Sequence, residues 1–594
     1  MITNVLNTID DILYAPILII IMAAAGLYFT FRTKFVQIRL FKEACRLILE
    51  PPKGSREQSV SSFQALMVST ASRVGTGNIV GVATAICLGG AGAVFWMWVM
   101  CIIGAASAYM ESTLAQIFKR VDKDGGFYGG PAYYIELAMH STVPAALFSV
   151  FLIATYAFGF NLLCSYNLQS TFAAYSWYHP VVTPLIIGTI LALLTGYCLL
   201  GGGKRIVRLT EVVVPFMGLF YVAVSLIVLI LNIGHIPAMF AEIFSDAFNF
   251  KAIFGGISGS CLVLGIKRGL FSNEAGVGSA PNASASADVT HPSKQGLVQT
   301  ISVYIDTMLL CTATALMCLS TGIAHTPDVA GAPYVQNAIS SVFEGIGPIF
   351  ITVAMILFAF TTLLGNLYYC DNALAYLNNK KMPTKKFMTI FYVFCVLVIF
   401  AGAQMPMAAV WAIADITMGG MTIINLPACV ILGNYAIDAL TNYEEQKKLG
   451  KDPVFVASDI GLSDKLVMTW KTQSEKNPER EEKRKRTLHR RKLTFLSFLP
   501  RLFIEIDLFT ERVFFFVLGS VLKMRIQLVA GRRRLGNKVS EIIRNIYIVK
   551  ACASAFFGAV RLCIERIAPA GAHVRDGALQ CHRHRSVIVR CNGK

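Results

Sequence analysis

Apolar residues in this chain come in long unbroken runs rather than in strand-like alternation or the three-and-four rhythm of a surface helix. Ile12–Phe31, Val212–Leu231 and Phe387–Ala401 approach the ~20 residues that cross ~30 Å of hydrocarbon. Further runs centre on Phe63–Leu88, Ala93–Phe118, Ala145–Leu163, Val181–Leu200, Phe248–Gly265, Leu297–Leu319, Ile349–Tyr368 and Met407–Leu432. The pattern predicts an all-α polytopic membrane protein of about 11 transmembrane helices. Met1–Asp11 holds two Asp and no Lys or Arg, so the first run reads as a retained helix and not a signal peptide.

Composition agrees: 55% of the 594 residues are hydrophobic and 15% charged, against about 25% charged in a soluble domain. A secreted or cytosolic enzyme is excluded. The net charge of +18 would suggest nucleic acid were it spread over the chain. Of 53 basic and 35 acidic residues, however, 27 and 10 lie in 471–594, which leaves 26 and 25 for the nearly neutral body. With the N-terminus outside, 24 of those 26 basic residues fall in predicted cytoplasmic loops, as the positive-inside rule requires. The expected topology is N-terminus out and C-terminus in, multi-pass, in a bacterial inner (plasma) membrane. The 15 cysteines are scattered without a C-x-x-C pair and read as small buried apolar residues.

If the first helix is peripheral, ten spans remain, divisible as five plus five, and an odd number per half inverts one half against the other. The expected division is 1–60, a transmembrane helix and cytoplasmic linker; 61–233 and 234–436, two five-helix repeats; 437–470, a cytoplasmic segment; and 471–594, a basic tail, disordered or peripheral. Two spans carry glycine clusters at corresponding positions: Gly75-Thr76-Gly77-Asn78 and Gly255-Gly256-Ile257-Ser258-Gly259. Glycines lower the cost of unwinding, and a paired interruption points to a midplane substrate site. Freed N–H groups suit a carboxylate and freed carbonyls a cation; close packing of small residues is the alternative. Thr361-Thr362 offers hard oxygens to a sodium-like ion, unless each hydroxyl bonds back to its own helix. Arg73 and Asp306 stand at membrane depth and could pair; equally, Arg73 could snorkel or face a water-filled cavity. Glu111, Glu274 and Asp415 fall nearer span ends, as interface residues. No G-x-x-x-x-G-K-[ST], H-E-x-x-H or G-x-S-x-G occurs, which argues against ATP-driven pumping and intramembrane hydrolysis.

Several motifs resemble the alanine or glycine:cation symporter family. They include Phe63-Gln64, Val74-Gly75-Thr76-Gly77-Asn78-Ile79, Gly92 to Trp98, Arg268-Gly-Leu-Phe-Ser-Asn-Glu274-Ala-Gly276, Ile305-Asp306-Thr307 and Trp411 to Asp415. The resemblance covers about residues 10–470. It implies a sodium-coupled amino-acid transporter fold: one extra N-terminal helix, a 5+5 inverted repeat and two broken helices. It also implies import of a small neutral amino acid (alanine or glycine, D-alanine included) with sodium or, less often, a proton, and with no other cofactor. Carried over, Thr76, Gly77 and Asn78 form the substrate side of the first break, Gly255, Gly256 and Ile257 the second, and Thr361 and Thr362 the sodium site. Cys164 stands where many members place a substrate-binding Gln, and Arg73 where many place a small residue. After Trp470 the resemblance ends; Lys483–Arg486 and Arg490–Lys492 could meet anionic lipid, and no motif supports a nucleic-acid or protein partner. A transporter-like sensor and a proton-coupled exporter are the competing readings.

Overall fold

The computed structural model describes residues 2–470 apart from 53–59, 122–124, 201–202, 250–259, 463–466 and 468. The expectations for the tail and for Gly255, Gly256 and Ile257 therefore lie outside the described residues. Within them, eight helices are long and apolar enough to span a membrane: α4 (Ala93–Ile117), α5 (Thr142–Ala174), α6 (Val182–Leu199), α7 (Arg205–Leu231), α9 (Pro292–Ser320), α10 (Ile346–Leu377), α11 (Lys385–Gly402) and α12 (Met407–Lys448). A ninth span is a pair, α2 (Ser62–Arg73) and α3 (Gly77–Gly89), bent by 51° at its break. Of the two other expected spans, the first corresponds to a shorter apolar helix, α1 (Ile19–Arg32). The second corresponds in part to α8 (Cys261–Asn273), just after the undescribed 250–259.

The helices sort into a polar-lined interior and an apolar shell. Two thirds of the apolar window of α4 and of α5 is buried (67% each), against 28% for α7 and α11. The outer faces of α7 and α11 expose Val212, Phe216, Leu219, Ile390 and Leu397, side chains that hydrocarbon accepts without cost. In the interior, α4 packs along α8 and α9, and α2 along α7 and α10. Local chemistry sets the ends. Ser61 and Gln64 form a capping box that starts α2, and Ser260 and Thr384 cap α8 and α11 through their hydroxyls. Widened π-helical turns interrupt the spans at Gly77–Gly81, Ala154–Gly159 and Tyr304–Cys311; such turns cluster at functional sites. The eleven described cysteines are all free and all but Cys45 buried, as their apolar settings led one to expect.

At one end of the bundle a small hairpin, β1 (Arg120–Val121) with β2 (Phe127–Tyr128), meets the segment that follows α12. That segment returns across the helix ends. Phe455 N donates to Thr290 O (3.0 Å), Thr290 Oγ1 to Pro453 O (2.8 Å) and Trp470 Nε1 to Gln116 O (2.9 Å). Lys119, just past α4, is enclosed there. Its ammonium donates to Ala287 O at 2.8 Å and lies 4.0 Å from the centre of the Phe127 ring. Burial pushes its pKa down from 10.5 to about 7, so near neutral pH the corner holds this lysine partly uncharged.

Candidate functional site

The first break begins where α2 ends at Arg73. Val74 leaves the helix (φ −75°, ψ 88°), and the amide of Gly75 donates to Asn78 Oδ1 at 2.8 Å. Asn78 thereby caps the restart of the span. Its other end, Nδ2, donates to Asp306 Oδ1 (2.7 Å) on α9 and to Ser272 Oγ (3.1 Å) on α8. Ser272 and Thr307 hydroxyls both donate to Asp306 Oδ2, at 2.7 and 2.9 Å. This closed cluster holds the bend while the carboxylate receives the donors that its burial demands.

A second break follows α8. Glu274 turns into the left-handed region (φ +49°), followed by Gly276 (φ +84°) and Gly278 (φ +93°), and a single turn of helix resumes at Pro281–Ser284. Glycine adopts such angles freely; glutamate does so at a cost. The turn is held from behind by Glu111, whose carboxylate accepts from Gly276 N (3.3 Å) and Asn425 Nδ2 (3.0 Å). Sequence reasoning overlooked this break. Its signal was present in Ala275-Gly276-Val277-Gly278, which echoes Val74-Gly75-Thr76-Gly77.

Between the breaks lies a small cavity. Gly75, Thr76 and Gly77 line one side, Ser272 and Glu274 another. Cys164, Phe160 and Leu163 of α5, Phe271 of α8 and Thr362 of α10 close it. Thr76 Oγ1 accepts from Asn167 Nδ2 (2.9 Å) and lies 3.9 Å from Cys164 Sγ. Thus Thr76, Gly77, Cys164 and Thr362 come together at the cavity. The Asn78 side chain turns away from it into the Asp306 cluster. Thr361 turns away too: its hydroxyl donates to Leu357 O (2.9 Å) on its own helix and faces Met217 Sδ (3.3 Å). Thr362 Oγ1 instead sits 3.5 Å from Val74 O, at the break itself. A carbonyl and a hydroxyl in that position are hard oxygen donors of the kind an alkali cation takes, and the spacing is too long for a good O–H···O bond between them.

Over the cavity the Phe271 ring packs, tilted, between Phe160 (4.8 Å) and Trp411 (4.9 Å), and the Arg268 guanidinium lies 3.8 Å from the centre of the Trp411 ring. Arg268 and Lys267 both pair with Asp415 (3.3 and 3.0 Å), and Lys267 also with Asp10 of the N-terminal segment. Two expectations change here. Glu111, Glu274 and Asp415 are all fully buried rather than interfacial, because each faces a helix break or a cation and not a span end. Arg73 and Asp306 do not pair, since Asp306 is taken by Asn78, Ser272 and Thr307. Arg73 lines the cavity with Nε, Nη1 and Nη2 buried and without a hydrogen-bond partner.

The family model described as "Sodium:alanine symporter family" matches residues 1–457. GlnT of Bacillus subtilis, described as "Probable sodium/glutamine symporter", is 40% identical over 453 residues, covering 76% of this chain and 93% of its own length. AgcS of Methanococcus maripaludis, described as "Sodium/alanine symporter", is 36% identical over 452 residues, covering 75% of this chain and 98% of its own. Among solved structures, MhsT in complex with L-phenylalanine aligns with a TM-score of 0.44 and 16% identity over 68% of this chain and 92% of that one.

Proposed function

The chain belongs to the sodium:alanine symporter family, and from that premise we propose that it imports a small neutral amino acid, alanine or glycine and D-alanine included, by sodium-coupled alternating access. The observation that carries this reading is the small cavity where two interrupted helices meet, with backbone from the first break on its wall. Amide groups at the restart of a helix present partial positive charge to a carboxylate. The cavity is small and walled in part by Phe160, Leu163 and Phe271, which favours a short side chain. This supports alanine or glycine over glutamine, the substrate named for GlnT.

Sodium is a co-substrate in this scheme. Val74 O and Thr362 Oγ1 would hold it, with Thr361 behind them on α10. An ion at that point ties α10 to the first break, and the break also forms the amino-acid site. Each ligand therefore raises the affinity of the other by the same factor. Outward-to-inward exchange then proceeds by movement of one helix group against the other, with the N-terminus outside and the C-terminus cytoplasmic.

The coupling has a direct test. Alanine should raise the unfolding temperature of the purified full chain in sodium chloride and leave it unchanged in potassium chloride. Ligand at about 100 times its Kd stabilises a fold by about 2.7 kcal/mol, which a thermal scan resolves. Equal stabilisation in both salts would overturn sodium coupling, and stabilisation by glutamine alone would overturn the small-substrate assignment.

A further inference from the structure

We infer that Arg73 and Glu274 are the two charged poles of the amino-acid site, Arg73 taking the substrate carboxylate and Glu274 its ammonium. The inference rests on the transport reading above and deepens it. Four observations support it. First, both residues line the same cavity, one at each helix break. Second, they hold matching places in a repeated motif: Arg73-Val-Gly-Thr-Gly-Asn78 and Glu274-Ala-Gly-Val-Gly-Ser279, with charges of opposite sign at the first position.

Third, the Arg73 guanidinium is 3% exposed, and none of its three nitrogens has a hydrogen-bond partner. A guanidinium buried without hydrogen bonds is costly. Glu111, Glu274 and Asp306 offset its charge at longer range, yet none of them hydrogen-bonds it, and the fork of donors is left free. The planar fork of donors fits a carboxylate. Fourth, Glu274 is a non-glycine residue in the left-handed region at the end of α8, a conformation that persists where surrounding structure imposes it and that gathers at functional sites. Ser279 Oγ donates to its Oε2 at 2.6 Å, which fixes the head group beside the cavity. A zwitterion between these poles satisfies both charges at once. A simple amine or a simple acid satisfies only one.

The experiment is equilibrium binding of radiolabelled alanine to the purified full chain in saturating sodium, with alaninamide and propionate as competitors. Alaninamide keeps the ammonium and lacks the carboxylate; propionate is the reverse. Arg73→Gln should weaken alanine binding by about thirtyfold or more, the floor for breaking a buried charge pair. It should leave alaninamide competition within threefold of wild type. Glu274→Gln should weaken alanine and alaninamide together and leave propionate unaffected. Arg73→Lys, which keeps the charge and loses the fork, should fall between wild type and Arg73→Gln.

An Arg73→Gln protein that binds alanine within twofold of wild type overturns the inference. So does one that loses alanine and alaninamide equally, which would make Arg73 a fixed internal cation instead of a substrate contact. If Arg73→Gln does not fold, Arg73→Lys decides alone: unchanged discrimination between alanine and alaninamide overturns the inference. Failure of wild type itself to bind alanine or glycine would overturn the transport reading first, and would be seen before any variant is compared.

Discussion

Thr362→Ala should raise the sodium concentration for half-maximal alanine uptake by about tenfold or more, as loss of an interaction worth ~1.5 kcal/mol with a charge implies. Thr361→Ala should shift it by no more than about threefold, the ~0.6 kcal/mol scale of a weakened contact. The two hydroxyls are adjacent in sequence and point differently. That of Thr362 meets Val74 O at the helix break, while that of Thr361 is spent on Leu357 O and faces the sulfur of Met217. Thr362→Ser keeps the oxygen and should stay near wild type. Initial uptake rates across a sodium series, at matched amounts of inserted protein, make the comparison. Equal shifts for Thr361→Ala and Thr362→Ala would remove the distinction, and no shift for Thr362→Ala would move the ion elsewhere.

Gly75→Ala should reduce sodium-driven uptake by about a hundredfold, the rate equivalent of ~2.7 kcal/mol. A methyl group there would lie 2.4 Å from Thr362 Oγ1 and 3.3 Å from both Thr362 Cβ and Cγ2. Thr362 is buried, and its branched side chain has few rotamers with which to yield. Overpacking of this kind costs about 1–3 kcal/mol, and here it falls where α10 meets the first break. The protein should still reach the membrane, because the clash is local. Combining Gly75→Ala with Thr362→Ala removes the clash without restoring the ion ligand, so uptake should recover in part while sodium affinity stays weak. Wild-type uptake by Gly75→Ala alone would show that this contact does not matter.

Much of this arrangement was legible in the chain because membrane spans announce themselves by length and hydropathy. The runs at Ala93–Phe118 and Leu297–Leu319 correspond closely to α4 and α9. The first break was legible as well, since Gly75-Thr-Gly77-Asn78 interrupts an otherwise apolar run. What hydropathy could not give was the direction of a side chain. Thr361 and Thr362 look equivalent in a list and differ by the roughly 100° that one residue turns a helix. Asn78 looks like a ligand because it is polar and central, yet its amide is consumed in holding the bend. Glu274 was placed near a span end because the apolar run before it, Phe248–Gly265, stops nine residues earlier. Only its left-handed backbone and the paired glycines after it, Gly276 and Gly278, show that the chain turns there inside the protein. The repeated x-x-Gly-x-Gly pattern was visible in the chain.

The central claim is sodium-driven transport of a small neutral amino acid. Its most direct test is radiolabelled alanine uptake into liposomes containing the purified full chain, first with an inward sodium gradient and then with a proton gradient alone. The account predicts accumulation above the external concentration with sodium, collapse of that accumulation when the gradient is dissipated, and no accumulation with protons alone. Neither alanine nor glycine accumulating under either gradient, from correctly inserted protein, would contradict it.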